Sequence, residues 1–234
     1  MKINILQMIS GAKAAKGLTV IIDVFRAFTV ECVLADKGAG EIIAVASKEL
    51  AYRLKEDNPE YILIGERDGI MLPGFDFGNS PSQIAGADLK GKVIVHTTSA
   101  GTQGIENAKN ASEIITGSLV NADAIIEYIT TKKPEEVSLV CMGLNAKSET
   151  QEDTLLAEYI RAGLMGETLP GLKERLEDLK YTSGAKFFDK NKLEFPEEDF
   201  YLSTDMNKYD FVLKLDRKVG GLNYIKKCER GIHG

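Results

Sequence analysis

The residues of this sequence best suited to chemistry are polar side chains that directly follow apolar, β-branched runs. Runs of this kind predict buried strands. In a mostly parallel sheet, ligands bind beyond the carboxyl ends of the strands, so we expect these polar clusters to lie around one crevice. The clusters are Asp23 with Arg26, then Glu66, Arg67 and Asp68, then Thr97, Thr98, Ser99, Gly101 and Thr102, and finally Gly143, Asn145, Glu152 and Asp153.

The loop of residues 74–81 comes soon after the second cluster and is the most unusual stretch. It combines two glycines with Asp76, Asn79, Ser80 and Pro81. Glycine permits positive φ angles and close approach to a ligand. Proline suits the first position of a helix, so Asn79 or Ser80 is expected to cap one. A surface turn with a helix cap is the alternative, but such a turn does not require Asp76 and two aromatic residues.

Two features of these clusters are suited to binding an anion. Residues 97–102 supply hydroxyl groups and backbone amides at the expected start of a helix, which attracts phosphate or sulfonate. Arg26 and Arg67 each lie beside an acid and are suited to bidentate binding of anionic oxygens. The alternatives are structural: a hydroxyl-rich helix cap for 97–102, and internal salt bridges with Asp23 or Glu66 for the arginines.

The carboxylates are numerous enough to bind a metal ion. Asp23, Glu66, Asp76, Glu152 and Asp153 are hard oxygen donors of the kind that Mg²⁺ prefers. Because Mg²⁺ retains water and takes only one or two carboxylates, most of the five must have other roles. Glu152 and Asp153 have the alternative of stabilising the first turn of a helix.

A thiol or an imidazole is the alternative reactive group. Cys141 ends a strand and is expected to face the crevice, but a nucleophilic thiol needs a lowered pKa and a base. The sequence has two histidines, His96 and His233, and no motif places either one as a base. We expect His96 to be a packing residue at a strand end and His233 to lie at a frayed terminus.

The composition indicates an ordinary globular protein and excludes several classes. Of the 234 residues, 44% are hydrophobic and 27% charged, with a formal net charge of −6. No basic block is present, so we expect no nucleic-acid partner. No apolar stretch approaches about 18 residues, so we expect no membrane partner. Three widely spaced cysteines and the lack of a signal peptide at the start predict a cytoplasmic protein with reduced thiols.

Strands that alternate with amphipathic helices predict an α/β fold of three layers, with a mostly parallel sheet between helices. We expect residues 1–234 to form a single catalytic unit, with a subdomain boundary near 163–170 as an alternative. Residues 11–17 predict a turn. Residues 209–215 and 222–227 fit either strands or helices.

Several of these motifs resemble those of the 2-phosphosulfolactate phosphatase family. They occur in the family's order and spacing over about residues 20–160, and the pattern at 74–81 is the most specific. The motifs are Asp-Val-Phe-Arg-Ala-Phe-Thr at 23–29, Gly-Phe-Asp-Phe-Gly-Asn-Ser-Pro at 74–81, Thr-Thr-Ser-Ala-Gly-Thr at 97–102, Gly-Ser-Leu-Val-Asn-Ala at 117–122, Cys-Met-Gly at 141–143 and Glu-Asp-Thr at 152–154.

The resemblance implies an α/β fold and a magnesium-dependent hydrolysis of (R)-2-phospho-3-sulfolactate to 3-sulfolactate and phosphate, a step toward coenzyme M. In the family's pattern, an asparagine usually takes the place of Ala100 and an arginine that of Gln103. The alternative function is a non-catalytic protein that binds a small phosphorylated or sulfonated metabolite. The oligomeric state stays open, with a homo-oligomer as one alternative.

These considerations together predict the roles of individual residues. Asp23, Asp76 and Arg26 are the predicted catalytic residues, with a carboxylate that either activates water or forms a phospho-aspartate at Asp23 or Asp76. Mg²⁺ is predicted to bind Glu66 and Asp76. The predicted substrate-binding residues are Arg67, Asn79, Ser80, Thr97, Thr98, Ser99, Gly101, Thr102 and Gly143.

Overall fold

A computed structural model describes residues 1–229. Within these residues the chain forms ten β-strands, nine α-helices and three short 3-10 helices. The strands are β1 (Lys2–Gln7), β2 (Gly17–Ile22), β3 (Glu41–Ala44), β4 (Ile62–Arg67), β5 (Ile70–Met71), β6 (Val93–Thr97), β7 (Ala111–Gly117), β8 (Glu136–Cys141), β9 (Phe211–Val219) and β10 (Leu222–Glu229). The α-helices are α1 (Met8–Ala14), α2 (Ala27–Asp36), α3 (Lys48–Asp57), α4 (Pro81–Ala85), α5 (Gly101–Asn107), α6 (Ala122–Lys132), α7 (Gln151–Leu164), α8 (Leu172–Asp178) and α9 (Glu197–Thr204). The 3-10 helices are Leu119–Asn121, Leu179–Tyr181 and Ala185–Phe188.

The strands form one sheet in the order β1-β8-β2-β7-β9-β10-β3-β6-β4-β5. Two groups of strands are internally parallel: β1, β8, β2 and β7 form the first, and β3, β6 and β4 the second. The β9–β10 hairpin joins them through three successive antiparallel pairings. The α/β fold with a mostly parallel sheet is therefore confirmed, but the two parallel groups run in opposite directions.

The largest cluster of buried residues lies on one face of this sheet. It contains Ile21 from the first group of strands and Ile64 and Ile94 from the second, packed with Phe28 and Leu34 of α2. Residues of α1, α4 and α5 belong to the same cluster. Both groups of strands therefore bury one face against the same layer of helices.

The outer faces of the two groups are covered separately. Because side chains alternate along a strand, Val20 and Ile22 point away from the inner core, and they pack in the cluster that includes residues of α6 and α7. Ile43, Leu63 and Val95 of the second group pack instead in a cluster with α3. Helices therefore cover both faces of the sheet, as predicted.

The predicted turn at residues 11–17 is wrong, because most of this stretch belongs to helix α1. Gly11 and Ala12 are buried. A Cβ atom on Gly11 would lie 2.9 Å from Leu6 Cβ, so the small residues allow α1 to pack directly on β1. The sequence pattern that indicated a flexible turn is in fact a close helix–strand contact.

The last third of the chain is part of the same assembly of elements. The two segments left open at 209–215 and 222–227 are the central strands β9 and β10. Phe187 and Phe200, which lie between α7 and β9 in the sequence, form a small cluster with Leu155 and Phe25. Residues 165–171, around the alternative boundary, connect α7 to α8. His233 lies outside the described residues.

No helix within residues 1–229 combines the length and the apolar character that crossing a membrane requires.

Candidate active site

A small pocket lies where the carboxyl ends of β2, β4 and β8 meet the loop before α4 and the segment between α8 and α9. Its volume is about 50 Å³. Six residues predicted as catalytic, metal-binding or substrate-binding line it: Asp23, Arg26, Glu66, Asn79, Ser99 and Gly143. Asp68, Asn145, Glu152 and Asp153, which belong to the predicted polar clusters, line it as well.

Asp23 directly follows β2 and is buried. Its Oδ1 atom accepts a hydrogen bond from the amide of Ala27 at 3.3 Å, and Oδ2 accepts none from a described residue. Gly101 packs against this carboxyl group, since a Cβ atom there would lie 3.0 Å from Oδ2. Burial raises the pKa of Asp23 to about 7, the Ala27 hydrogen bond opposes this rise, and the nearby charge of Glu66 adds to it.

Glu66 is the most heavily hydrogen-bonded acid of the pocket. Its carboxylate accepts the amide of Gly69 at 2.6 Å, the amide of Ser99 at 2.7 Å and the hydroxyl of Ser99 at 3.0 Å. These bonds join the end of β4 to the turn before α5. Glu66 therefore holds two of the pocket's loops together.

Glu152 and Asp153 bring two further buried acids to the pocket from the first turn of α7. Asp153 accepts the amides of Val24 at 2.9 Å and Gly143 at 2.8 Å. Glu152 Oε2 is buried and has no hydrogen-bond partner within the described part of the chain. Burial raises the pKa of both carboxyl groups.

Two cations face these acids. Arg26 Nη1 donates to Asp199 Oδ2 at 2.6 Å and to the carbonyl of Glu194 at 2.9 Å, and the guanidinium lies 4.8 Å from the centre of the Phe195 ring. The salt bridge considered for Arg26 thus exists, but its partner is Asp199 rather than Asp23.

Lys186 is the second cation, and its Nζ lies over the ring of Phe195 at 5.1 Å. Desolvation lowers its pKa, and the charge of Glu152 opposes this. Within residues 1–229 it has no carboxylate at salt-bridge distance. It is therefore the cation of the pocket that is not already paired.

Asp76 is the largest departure from the predicted site, because the structure places it outside the pocket. Its Oδ2 accepts the amide of Leu63 at 2.8 Å and pairs with Lys55 at 3.4 Å. The side chain is 34% exposed. These contacts fasten the loop of residues 74–81 to β4, away from the pocket that the other predicted residues line.

Arg67 also points away from the pocket. Its Nη2 donates to the carbonyl of Ala46 at 3.0 Å and to the hydroxyl of Thr97 at 2.9 Å, and Nη1 donates to the Glu66 carbonyl at 2.6 Å. The guanidinium thus ties β4 to β6 and to the residues after β3. These contacts use the donors that were predicted to hold the substrate.

The hydroxyl groups of Ser80, Thr98 and Thr102 form hydrogen bonds within the protein, as the helix-cap alternative expects. Ser80 caps α4 by accepting the amide of Gln83 at 3.4 Å, and its hydroxyl donates to Asp199 at 2.9 Å. Thr98 and Thr102 bond each other: the amide of Thr98 donates to Thr102 Oγ1 at 3.0 Å and the amide of Thr102 to Thr98 Oγ1 at 3.2 Å. The hydroxyl groups of Thr98 and Thr102 are therefore engaged with the backbone of this turn, as the helix-cap alternative expects.

Cys141 does not face the pocket as predicted. It is buried in the outer core beneath α7, and its thiol donates to the carbonyl of Asp153 at 3.4 Å. Burial raises the pKa of the thiol. A thiolate nucleophile is disfavoured by this environment.

Lys186, Phe195 and Asp199 were not predicted from the sequence. The candidate residues were predicted from their position after apolar strands, and none of these three follows a strand. The only local signal is a lysine within the aromatic stretch 184–188. That signal does not distinguish a pocket from an ordinary aromatic cluster.

The free oxygen atoms of the pocket bear on where Mg²⁺ could bind. Within residues 1–229, no group of three or more His, Cys, Asp or Glu side chains is arranged to hold a metal ion. Mg²⁺ can be held by one or two carboxylates and water, however. Glu152 Oε2 and Asp23 Oδ2 accept no hydrogen bond from the described residues, so these two acids fit a hydrated Mg²⁺ better than Glu66 or Asp76.

The raised pKa of Asp23 predicts that stability falls as pH rises between about 4 and 7. In this window Asp23 ionises in the unfolded state, where its pKa is the ordinary 3.8, whereas in the native state it keeps its proton up to a pKa of about 7. Raising the pH therefore favours unfolding, by ~4 kcal/mol at most for this group. Urea unfolding of the wild type and Asp23→Asn across the window measures this. Parallel pH curves for the two proteins would contradict the assignment.

The α/β fold thus brings four buried acids and an unpaired lysine to one pocket. The sequence profile of the family described as 2-phosphosulpholactate phosphatase matches residues 3–218. The chain belongs to this family, and the enzyme class is that of the phosphoric monoester hydrolases.

Relatives described as probable 2-phosphosulfolactate phosphatases come from several bacteria. The protein of Bacillus subtilis (strain 168) is 32% identical over 203 residues, which cover 86% of this chain and 88% of the relative. That of Caldanaerobacter subterraneus subsp. tengcongensis is 32% identical over 213 residues, covering 89% and 81%. That of Carboxydothermus hydrogenoformans is 35% identical over 185 residues, covering 78% and 74%.

Proposed function

We propose that this protein hydrolyses (R)-2-phospho-3-sulfolactate to 3-sulfolactate and phosphate with the help of Mg²⁺. The family and the names of the relatives support the substrate. The observation that carries the chemistry is the meeting of Asp23, Glu152 and Lys186 in one pocket. On this proposal the product serves coenzyme M synthesis in the cytoplasm.

The proposed substrate carries a phosphate, a sulfonate and a carboxylate, so the pocket must offset several negative charges. Lys186 supplies one unpaired cation. The Nη2 group of Arg26 donates to no described residue and adds a hydrogen-bond donor, although Asp199 already offsets the charge of the guanidinium. Asn79 adds an uncharged donor. Buried donors of this kind bind anionic oxygens more strongly than exposed ones.

In the mechanism, Glu152 would hold Mg²⁺ through its unpartnered Oε2 atom. The ion, when bound, supplies charge for the phosphoryl oxygens and lowers the pKa of a bound water. Asp23 would accept the proton of the attacking water at Oδ2, because this atom accepts no hydrogen bond from a described residue. Lys186 binds and orients the phosphoryl group so that its developing charge meets a cation.

Substrate binding requires the pocket to open. A volume of about 50 Å³ holds a few water molecules and is small for a phosphorylated three-carbon acid. The mouth is bridged by Asn145 Nδ2, which donates to Asp68 Oδ1 at 2.7 Å. Asp68 is exposed, so we propose that this contact separates when the substrate enters.

A phosphate-release assay tests the proposal. We expect release from 2-phospho-3-sulfolactate that EDTA abolishes and added Mg²⁺ restores, with slower release from other phosphorylated hydroxy acids. Ala100 and Gln103 bear on this choice: Ala100 lines the pocket, whereas Gln103 donates to the carbonyl of Ala46 at 2.7 Å, outside it. Tight binding of the substrate without release would favour the non-catalytic alternative and contradict the proposal.

A further inference from the structure

A buried row of three polar side chains leads from the protein interior to the pocket. His96 lies on β6 between Glu31 of α2 and Asn79. Its Nδ1 is 3.0 Å from Glu31 Oε1, and its Nε2 is 3.2 Å from Asn79 Oδ1. Glu31 and His96 are both 0% exposed. Only Asn79 reaches the pocket.

The acceptor at Asn79 determines where the imidazole carries its proton. An amide oxygen only accepts, so the contact requires a proton on His96 Nε2. On the other side of the ring, Nδ1 contacts Glu31 Oε1 at 3.0 Å, which fixes the orientation of the imidazole. With its oxygen held by the imidazole, the Asn79 amide directs its NH₂ group toward the pocket. Within residues 1–229, Asn79 Nδ2 donates to no other group.

This row is costly for folding. A carboxyl group and an imidazole lie beside the main core, and Glu31 Oε2 has no hydrogen-bond partner in the described part of the chain. Apolar side chains of similar size would pack here at lower cost. Stability therefore does not account for the pair, whereas the orientation of a pocket residue does.

We propose that Glu31 and His96 are positioning residues that direct the NH₂ group of Asn79 at an anionic phosphoryl or sulfonate group in the pocket. The inference rests on the proposed function for the identity of the anion. Without His96 Nε2, the amide is free to rotate and present its oxygen, which repels an anion. Glu31 acts one step further away, by holding the imidazole ring.

The protonated nitrogen can be observed directly by NMR of protein with ¹⁵N-labelled histidine. The chain has two histidines, so His233→Gln leaves the imidazole of His96 as the only signal. We expect Nε2 to carry a proton. An unprotonated Nε2 would overturn the proposal, because Asn79 would then have to turn its oxygen toward the pocket.

Two substitutions of His96 test the positioning role. A glutamine amide reaches the place of Nε2, whereas an asparagine amide reaches only that of Nδ1. We expect His96→Asn to weaken binding of inorganic phosphate, measured by calorimetry, roughly 10-fold or more, and His96→Gln to bind nearly as the wild type does. In turnover, KM rises in the same ratio while kcat changes less than about threefold.

The control variant is Asn79→Ala, alone and combined with His96→Asn. Both act through one hydrogen bond, so the double variant should bind phosphate no more weakly than Asn79→Ala. Additive losses, equal losses in His96→Asn and His96→Gln, or normal binding in a folded His96→Asn would each overturn the proposal. Thermal unfolding identifies a variant that fails to fold, and the NMR result then decides.

Phosphate binding also separates this inference from the proposed function. If the wild type hydrolyses 2-phospho-3-sulfolactate but the variants bind phosphate normally, the positioning role fails and the function stands. If the wild type binds phosphate but releases none from the substrate, and His96→Asn loses phosphate binding while His96→Gln keeps it, the positioning role stands and the function fails.

Discussion

Asp23→Asn is expected to lower kcat for phosphate release by about 10²- to 10⁴-fold, the usual contribution of a general base. The side chain lines the pocket, and its Oδ2 accepts no hydrogen bond from a described residue. Asparagine keeps an acceptor for the Ala27 amide but cannot take a proton. Single-turnover and steady-state phosphate release measure the effect. Circular dichroism and urea unfolding at pH 8 should show a protein at least as stable as the wild type, because no charge is then buried.

Asp76→Asn is the matched control for this variant. Asp76 pairs with Lys55 outside the pocket, so we expect kcat within about threefold of the wild type and a loss of stability of ~1 kcal/mol or less. The sequence alone predicted the opposite, with Asp76 essential for turnover. A large loss of kcat in Asp76→Asn, or near-normal kcat in Asp23→Asn, would mean that the pocket described here is not where the reaction occurs.

Asp199→Ala is expected to cause the largest loss of stability, about 3–5 kcal/mol. Asp199 is fully buried and accepts hydrogen bonds from Arg26 Nη1 at 2.6 Å, the Ser80 hydroxyl at 2.9 Å and the Ser82 amide at 2.9 Å. Its removal leaves a buried guanidinium without its counter-charge. It also releases the start of α4 from α9. Urea unfolding at neutral pH measures the change.

Two comparison variants show whether the unpaired charge is the cause. Asp205→Ala removes an exposed acid that pairs with Lys208 at 3.3 Å, and we expect a change below ~1 kcal/mol. The double variant Arg26→Met/Asp199→Leu removes both charges and should be more stable than Asp199→Ala. If the double variant is instead the less stable of the two, the buried ion pair is not the source of the loss.

The residues after strands were the part of the site that sequence reasoning located best. Asp23 follows β2, Glu66 lies near the end of β4 and Asp153 lies in the first turn of α7, and all three line the pocket. Such positions depend on local pattern, which is visible without a fold. Asp76 and Arg67 are also charged residues that come soon after an apolar run, yet their side chains contact Lys55 and Thr97. Side-chain direction at a strand end depends on neighbours distant in sequence, and no local pattern contains them.

The pocket lies at the carboxyl ends of strands from both parallel groups. A sheet with all its carboxyl ends at one edge was expected, but the two groups run in opposite directions across the β9–β10 hairpin. Their ends nevertheless meet beside the layer of helices that both groups pack against. The bridge from Asn145 to Asp68 at 2.7 Å is direct evidence of that meeting.

By itself, the sequence determined the alternation of strands and helices, the acids at strand ends and the family motifs, because each depends on residues near one another along the chain. Only the tertiary structure decided which of those acids share a pocket and which cation faces them. Lys186 reaches Glu152 and Asp23 from the last third of the chain. The physical reason is that electrostatic and packing interactions depend on distances in space, and the arrangement of the sheet and its helices sets those distances.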